Sequence, residues 1–378
     1  MNHTITKSIS DIFSRPADSN YDSMETLLEV AEQEKAQSRT IKVQGSDIGF
    51  STEAGEFRLD IAGKVPLPLT NYSMTQVALM AKIPTALLER LHERDRDDLV
   101  VDNLKTLFPN RRAETKFILI RDHYDEFGGI DSVARAVNGG AYSRLWDCDV
   151  FAEIEDFLLE RDFTPMLPDE QSGMRNGLMH GLDTGLFRGD ECSFGFFFTT
   201  RDLGADCADL GGLTPGMMVF NSEVGARSFG YHTFYYHEAS GSIIMWTPAN
   251  HKRKRFVHRG DISKAFKEYI ATLEDVADNF KTRYIEDVKT FDIAAVTPFA
   301  VDDTAAIQRL HKSFGMSVSN AKAAVGASKM HCNNYGLPLS VWNIALGITY
   351  EAGQTSRAEA LVDQGMIATR LMRSTLKV

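Results

Sequence analysis

The sequence predicts an α+β protein: a central antiparallel β-sheet leading into a long helix, in β-β-β-α order, followed by a C-terminal helical module. Three features predict it. Between Glu191 and Trp246, short aromatic and β-branched runs are separated by Gly, Asp and Pro, the pattern of successive antiparallel strands. Directly after them, Ile262 to Tyr284 carries apolar residues at helical spacing behind Asp261, a good N-cap. From Thr304 to Leu371 the chain reads as four further segments with helical periodicity.

Residues 1–40 are polar, include an acidic helical stretch from Tyr21 to Ala36, and are expected to form a loosely attached N-terminal arm. The α+β core, residues 41–290, begins with short strands around Gly45 and Gly55. Ser73 is expected to cap a helix through Met80, because its hydroxyl can accept from backbone N–H groups that lack a helical partner. Pro84 suits the first turn of a second helix, Thr85 to Arg94, with Leu87, Leu88 and Leu91 on one face. This pair has the outline of a helix-turn-helix, but packed helical hairpins are far commoner than groove readers. Lys116 to Arg121 reads as a short buried strand. Asp131 is expected to cap a helix through Val137, ended by Gly139-Gly140, and another helix is expected from Val150 to Arg161.

In the β-rich region, Phe194, Phe196 and Phe198 alternate with Gly195 and Phe197, which suits a strand buried on one face and partly on both. Met217 to Asn221, Ser228 to His237 and Ile243 to Trp246 are the next strands. A linker, Phe291 to Asp303, opens the C-terminal module, residues 291–378. Its helices are expected at Thr304 to Phe314, Ser319 to Ser328, Pro338 to Gly353 and Ser356 to Leu371.

A chain of 378 residues that is 43% hydrophobic and 25% charged can bury a large core. It has no run of about 18 apolar residues, so no membrane span is expected. Met1 to Ser19 is polar without an apolar h-region, so no secretory signal is expected. Cys148, Cys192, Cys207 and Cys332 form no Cys-x-x-Cys pair and match no zinc spacing. That usage fits a reducing cytoplasm. No Walker lysine loop and no Gly-x-Ser-x-Gly elbow occur, which argues against an ATP-driven motor and a serine hydrolase of that type.

The net charge is −11, yet five of the eight residues from Lys252 to Arg259 are Lys or Arg. Such a knot where a sheet hands over to a helix points to an anion site, a phosphate backbone first among the candidates. A solvated turn is the plain alternative. Lys252, Arg253, Lys254, Arg255, His258 and Arg259 are the candidate phosphate contacts, with Arg227 at a strand turn as a further one. Tyr231 and Tyr235, which share a strand face, and Trp246 are candidate stacking groups, against the alternative that they serve the core. No metal ligand and no cofactor is assigned.

Several stretches together resemble one family. Asn221-Ser222-Glu223-Val224-Gly225 before an aromatic strand is the clearest. Ile83-Pro84-x2-Leu87, Ile118 to Tyr124, Arg255-x2-His258-x-Gly260 and Trp342-Asn343-Ile344-Ala345 stand in the same order. Over about residues 60–370 the chain is similar to the phage/plasmid-like proteins that carry a widespread bacterial domain of unknown function. Where that family commonly has Cys-x-Asn-Gly, this chain has Ala239-Ser240-Gly241. The resemblance implies mobile elements and DNA maintenance in a bacterial host cytoplasm, but no known reaction. The β-β-β-α order is also that of the single-strand annealing recombinases, a likeness of topology only.

The expected function is therefore single-stranded DNA binding and strand annealing without a nucleotide cofactor, by a homo-oligomer that works beside phage or host DNA-replication proteins. Two other classes stand beside it. Asp102, Glu114 and Lys116 spell the Asp…Glu-x-Lys order of Mg²⁺-dependent nucleases, a short motif with a high chance frequency. An acidic surface could instead serve a host-interaction or anti-defence protein.

Overall fold

The computed structural model describes residues 18–108, 114–124, 127, 129–166, 184–199, 207–246, 256–331, 336–354 and 358–376. Its elements are antiparallel sheets and helices, with several helices gathered in the C-terminal third, as the α+β class requires.

The N-terminal half holds β1 (Ser19–Asn20), α1 (Met24–Ala36), β2 (Ser38–Gln44), β3 (Ile48–Glu53), β4 (Glu56–Ile61), β5 (Leu67–Pro68), α2 (Asn71–Ala81), α3 (Thr85–His92), α4 (Asp97–Leu107), β6 (Thr115–Tyr124) and β7 (Ile130–Gly139). Two three-stranded sheets, β2-β6-β7 and β3-β4-β5, share a core with α2 to α4 in which Phe50, Phe57, Leu59, Val77, Leu88 and Val100 are buried. The expected loose arm is, over its described part, packed structure. Ser23 caps α1 by accepting from the Thr26 backbone N–H, and Met24, Leu27 and Ala31 are buried. Thr70 rather than Ser73 caps α2, its hydroxyl accepting from the Ser73 N–H.

The helix expected from Asp131 to Val137 is strand β7, paired with β6 along its length. The ladder slips between Leu119 and Ile120: Leu119 faces Ala136, Ile120 faces Ala134, and Arg135 has no opposite residue. Such a bulge re-aims one side chain, and here it is a buried arginine.

Next come α5 (Asp147–Leu159), which opens three residues before the expected Val150, then β8 (Phe163–Pro165), β9 (Leu186–Arg188), β10 (Ser193–Thr199), β11 (Leu213–Asn221), β12 (Gly230–His237) and β13 (Ser242–Met245). With β1 these strands form a seven-stranded sheet in the order β1-β9-β10-β11-β12-β13, with β8 also on β10. Side chains alternate between two buried faces. Phe197, Met217, Val219, Tyr235 and Ile244 face one core; Phe194, Phe196, Met218, Phe234 and Met245 face the other.

The first face is covered by α5, α6 (Ile262–Asp278) and α7 (Phe280–Val296). The expected long helix is thus interrupted at Asn279 (φ −94°, ψ 9°) and runs on to Val296. Residues 291–296, expected in a linker, are helical because Phe291, Ala294 and Ala295 are buried. The chain closes with α8 (Asp303–Phe314), α9 (Val318–His331), α10 (Val341–Gly353) and α11 (Ala358–Leu376). Leu361 and Val362 of α11 cover the second face of the sheet. No helix among the described residues is long and apolar enough to cross a membrane.

Candidate nucleic-acid interface

The candidate residues divide into three groups. Lys252, Arg253, Lys254 and Arg255 lie outside the described residues. Arg259 is exposed just before α6, and Lys264 and Lys267 are exposed on its first two turns. Asp261 caps that helix by accepting from the Lys264 N–H at 3.0 Å. These three cations are exposed on one described segment.

The remaining candidates are interior or paired. His258 is buried, stacked on Tyr142 with ring centroids 5.4 Å apart and edge-on to Phe229. Burial lowers its pKa to about 4, so it is neutral at pH 7 and offers a phosphate no charge. Tyr235 is a core residue: its hydroxyl donates to Asp287 Oδ2 at 2.6 Å and its ring meets Tyr284 and Phe291. Trp246 is buried against Phe291. Tyr231 is half-buried beside Tyr269, and burial raises its pKa to about 12. Tyr231 and Tyr235 do share a face, but α6 and α7 occupy it, so Tyr235 presents no ring to a base. Arg227 sits over the Phe194 ring at 6.0 Å, with Asp363 at 3.8 Å.

What the fold does bring together is a buried ionic cluster that sequence reasoning missed. The turn after β11, Asn221 to Gly225, is its hub. Glu223 Oε2 accepts from Arg135 (2.6 Å) and Arg188 (3.2 Å), and its Oε1 accepts from the Asp147 backbone N–H (3.0 Å). Asp147, first residue of α5, accepts from Arg188, Ser193 and Asn221. Glu34 of α1 holds Arg121 with two bonds, at 2.5 and 2.6 Å, and also accepts from Arg188. Three arginines thus meet three carboxylates from five elements and a turn. Arg144 adds a cation that donates to the Glu223 carbonyl and lies over the Tyr142 ring at 5.3 Å.

Sharing a dry site makes the carboxylates diverge. Burial and the negative charge of Glu223 raise Asp147 to about 6, against the pull of Arg188. Burial pushes Glu223 up as well, but Arg135, Arg188 and the Asp147 N–H outweigh it and bring it to about 2. Polar residues in a turn ordinarily satisfy backbone groups of that turn. Ser222 does that, its hydroxyl accepting from the Gly225 and Ala226 N–H groups. Asn221 and Glu223 instead reach the start of α5, and Gln76 and Asn138 donate to the Val224 carbonyl. Gly225 has φ +86°, and a Cβ there would stand 2.9 Å from the Tyr142 ring. The motif is a joint between the N-terminal sheets and the central sheet. Three acids and three arginines scattered over residues 34–223 carry no local spacing signal, which is why no motif announced them.

Asp102 is exposed on α4, while Lys116 is buried and donates to Glu114 at 2.8 Å. Among the described residues no group of three or more His, Cys, Asp or Glu is placed to hold a metal ion. No family model, curated protein or solved structure matches the chain.

Proposed function

We propose that the protein binds single-stranded DNA through residues 252–267 and promotes annealing of complementary strands without a nucleotide cofactor, as an assembly of several copies serving phage or plasmid DNA metabolism. The observation that carries this reading is the charge of that segment. Residues 252–267 hold seven Lys or Arg and a single Asp in a chain of net charge −11. The described cations among them, Arg259, Lys264 and Lys267, all face solvent. Phosphate contact of this kind is independent of base identity. Because α6 and α7 cover the aromatic face of the sheet, the strand is held through its phosphates. Bases held that way keep their pairing edges exposed, which annealing requires.

The test is a salt titration of binding to labelled single-stranded oligonucleotides, with annealing of complementary strands followed without ATP. Replacing Lys252, Arg253, Lys254 and Arg255 with Ala should weaken binding and reduce the slope of log affinity against log salt by about 3, from four lost contacts at roughly 0.7 each. An unchanged slope would remove the segment from the reading. Absence of strand binding by the parent protein at low salt would overturn the reading itself.

A further inference from the structure

One corner of the molecule exposes more apolar surface than its neighbours explain. Residues 336–341 run beside the end of α7: the Leu337 N–H donates to the Ala295 carbonyl, and the Val341 N–H to the Thr297 carbonyl, each at 2.9 Å. Lys329 near the end of α9 pairs with Asp303 at 2.9 Å. These bonds bring together the end of α7, the segment leading into α8 and the end of α9, the stretches that carry Ile293, Val296, Val301, Met330 and Leu337. All five are exposed, Val301 at 93%, Met330 at 75% and Val296 at 63%. Scattered exposed apolar residues are ordinary, but a cluster with a polar rim marks an interaction surface. Asp292 and Asp302 supply that rim, and both are exposed.

The occupant is indicated by charge and by position. At net charge −11, two copies repel wherever their general surfaces meet. The cationic segment at the start of α6 is the complement of the acidic corner. It too has an apolar centre, Val257, exposed at 51%, beside exposed Arg259, Lys264 and Lys267. The two surfaces stand at opposite ends of the consecutive helices α6 and α7. Tyr269 of α6 meets Phe229 and Tyr231 at the start of β12, whereas Tyr284 and Phe291 of α7 meet Tyr235 near its end. The helices therefore progress along β12 together, each of 17 residues and so roughly 25 Å long. One molecule cannot bring its own two ends together.

We propose that this corner receives the start of α6 from a second copy of this chain, giving head-to-tail association. Such a heterologous contact repeats, and it closes into a ring or continues as a filament. The inference rests on the assembly part of the function proposed above and names its interface; Lys264 and Lys267 then serve the neighbouring copy, and the strand is left to the cations that precede them in the sequence.

The test is sedimentation of the full chain without nucleic acid, so that assembly and strand binding are read separately. V296D/V301D removes the receiving corner, and K264E/K267E removes the inserting end. All four positions are exposed, and a thermal melt of each variant checks the fold. The parent protein should assemble with rising concentration and less so at high salt. Each variant alone should stay monomeric, and an equimolar mixture should reach twice the monomer mass and stop there. A monomeric parent protein at low salt would overturn the proposal. So would a mixture that stays monomeric, or self-association of K264E/K267E like that of the parent, which would mean the corner pairs with itself.

Discussion

Glu223 and Arg188 illustrate how far a single side chain reaches in this protein. Arg188 touches all three carboxylates of the buried cluster. Removing one member of a buried ionic group leaves its partners charged and dry, which costs about 3–5 kcal/mol. Arg188→Met should therefore lower the unfolding free energy by about that amount, read by urea denaturation, and Glu223→Gln by a similar amount. A loss below 1 kcal/mol would show the cluster to be solvated. The histidines set a pH dependence. His237 donates from Nε2 to the Leu210 carbonyl at 2.7 Å, and burial lowers both His237 and His258 to about 4. A depressed histidine stabilises the fold above its ordinary pKa near 6.5 and loses that contribution as pH falls through 4. Asp147, raised to about 6, acts oppositely, since its contribution is present below its ordinary value and lost as pH rises through 6. Two histidines outweigh one aspartate, so stability should fall from pH 6.5 to 4 by on the order of 3 kcal/mol. The same fall in a His237→Gln, His258→Gln double variant would assign it elsewhere.

Elements in this chain are decided by partners as much as by propensity. In β7 the apolar residues Ile130, Ala134 and Val137 share one face yet stand at helical spacing. The bulge at Arg135 produces that spacing, because one extra residue shifts the two-residue alternation of a strand by one. Asp131 and Gly139-Gly140 then imitate helix punctuation, yet β6 supplies the hydrogen bonds. The α9–α10 pair shows the reverse, a close approach written in one residue. A Cβ on Gly347 would lie 2.2 Å from the Ala324 carbonyl oxygen and 2.8 Å from Ser328 Cβ. Gly347→Ala should push the two helices apart and cost about 1–3 kcal/mol, despite its better helix propensity. A stabilised variant, judged by its melting temperature, would show the crossing to be loose.

For the whole molecule, charge is distributed unevenly: a cationic segment leads into α6, exposed Asp292 and Asp302 stand at the corner beyond α7, and the Arg135–Glu223 and Arg188–Asp147 pairs are buried between the N-terminal sheets and the central sheet. The proposed strand binding and assembly both rest on the exposed part of that distribution. Both should weaken with salt, whereas the buried cluster should hold, because dry pairs are screened little. Thermal stability of the protein that changes little while strand affinity drops steeply with salt is the joint expectation. Parallel losses would mean that the surface cations also hold the fold.

The sequence alone determined the α+β class, the run of antiparallel strands and helix α6. Aromatic alternation and an Asp cap are local signals, and a chain of this length has enough apolar residues to bury both sheet faces. It also located the cationic segment, since charge is counted without a fold. It singled out Asn221 to Gly225 as distinctive without saying why. Tertiary structure decided what those residues do. It turned Tyr235, Trp246 and His258 inward, because α5 to α7 need an apolar sheet face to cover. It turned a seemingly helical stretch into β7 through pairing with β6. It collected Glu34, Arg121, Arg135, Asp147, Arg188 and Glu223 into one cluster, because ionic partners are chosen by distance in space, and separations of up to 154 residues in the chain leave no periodicity to read.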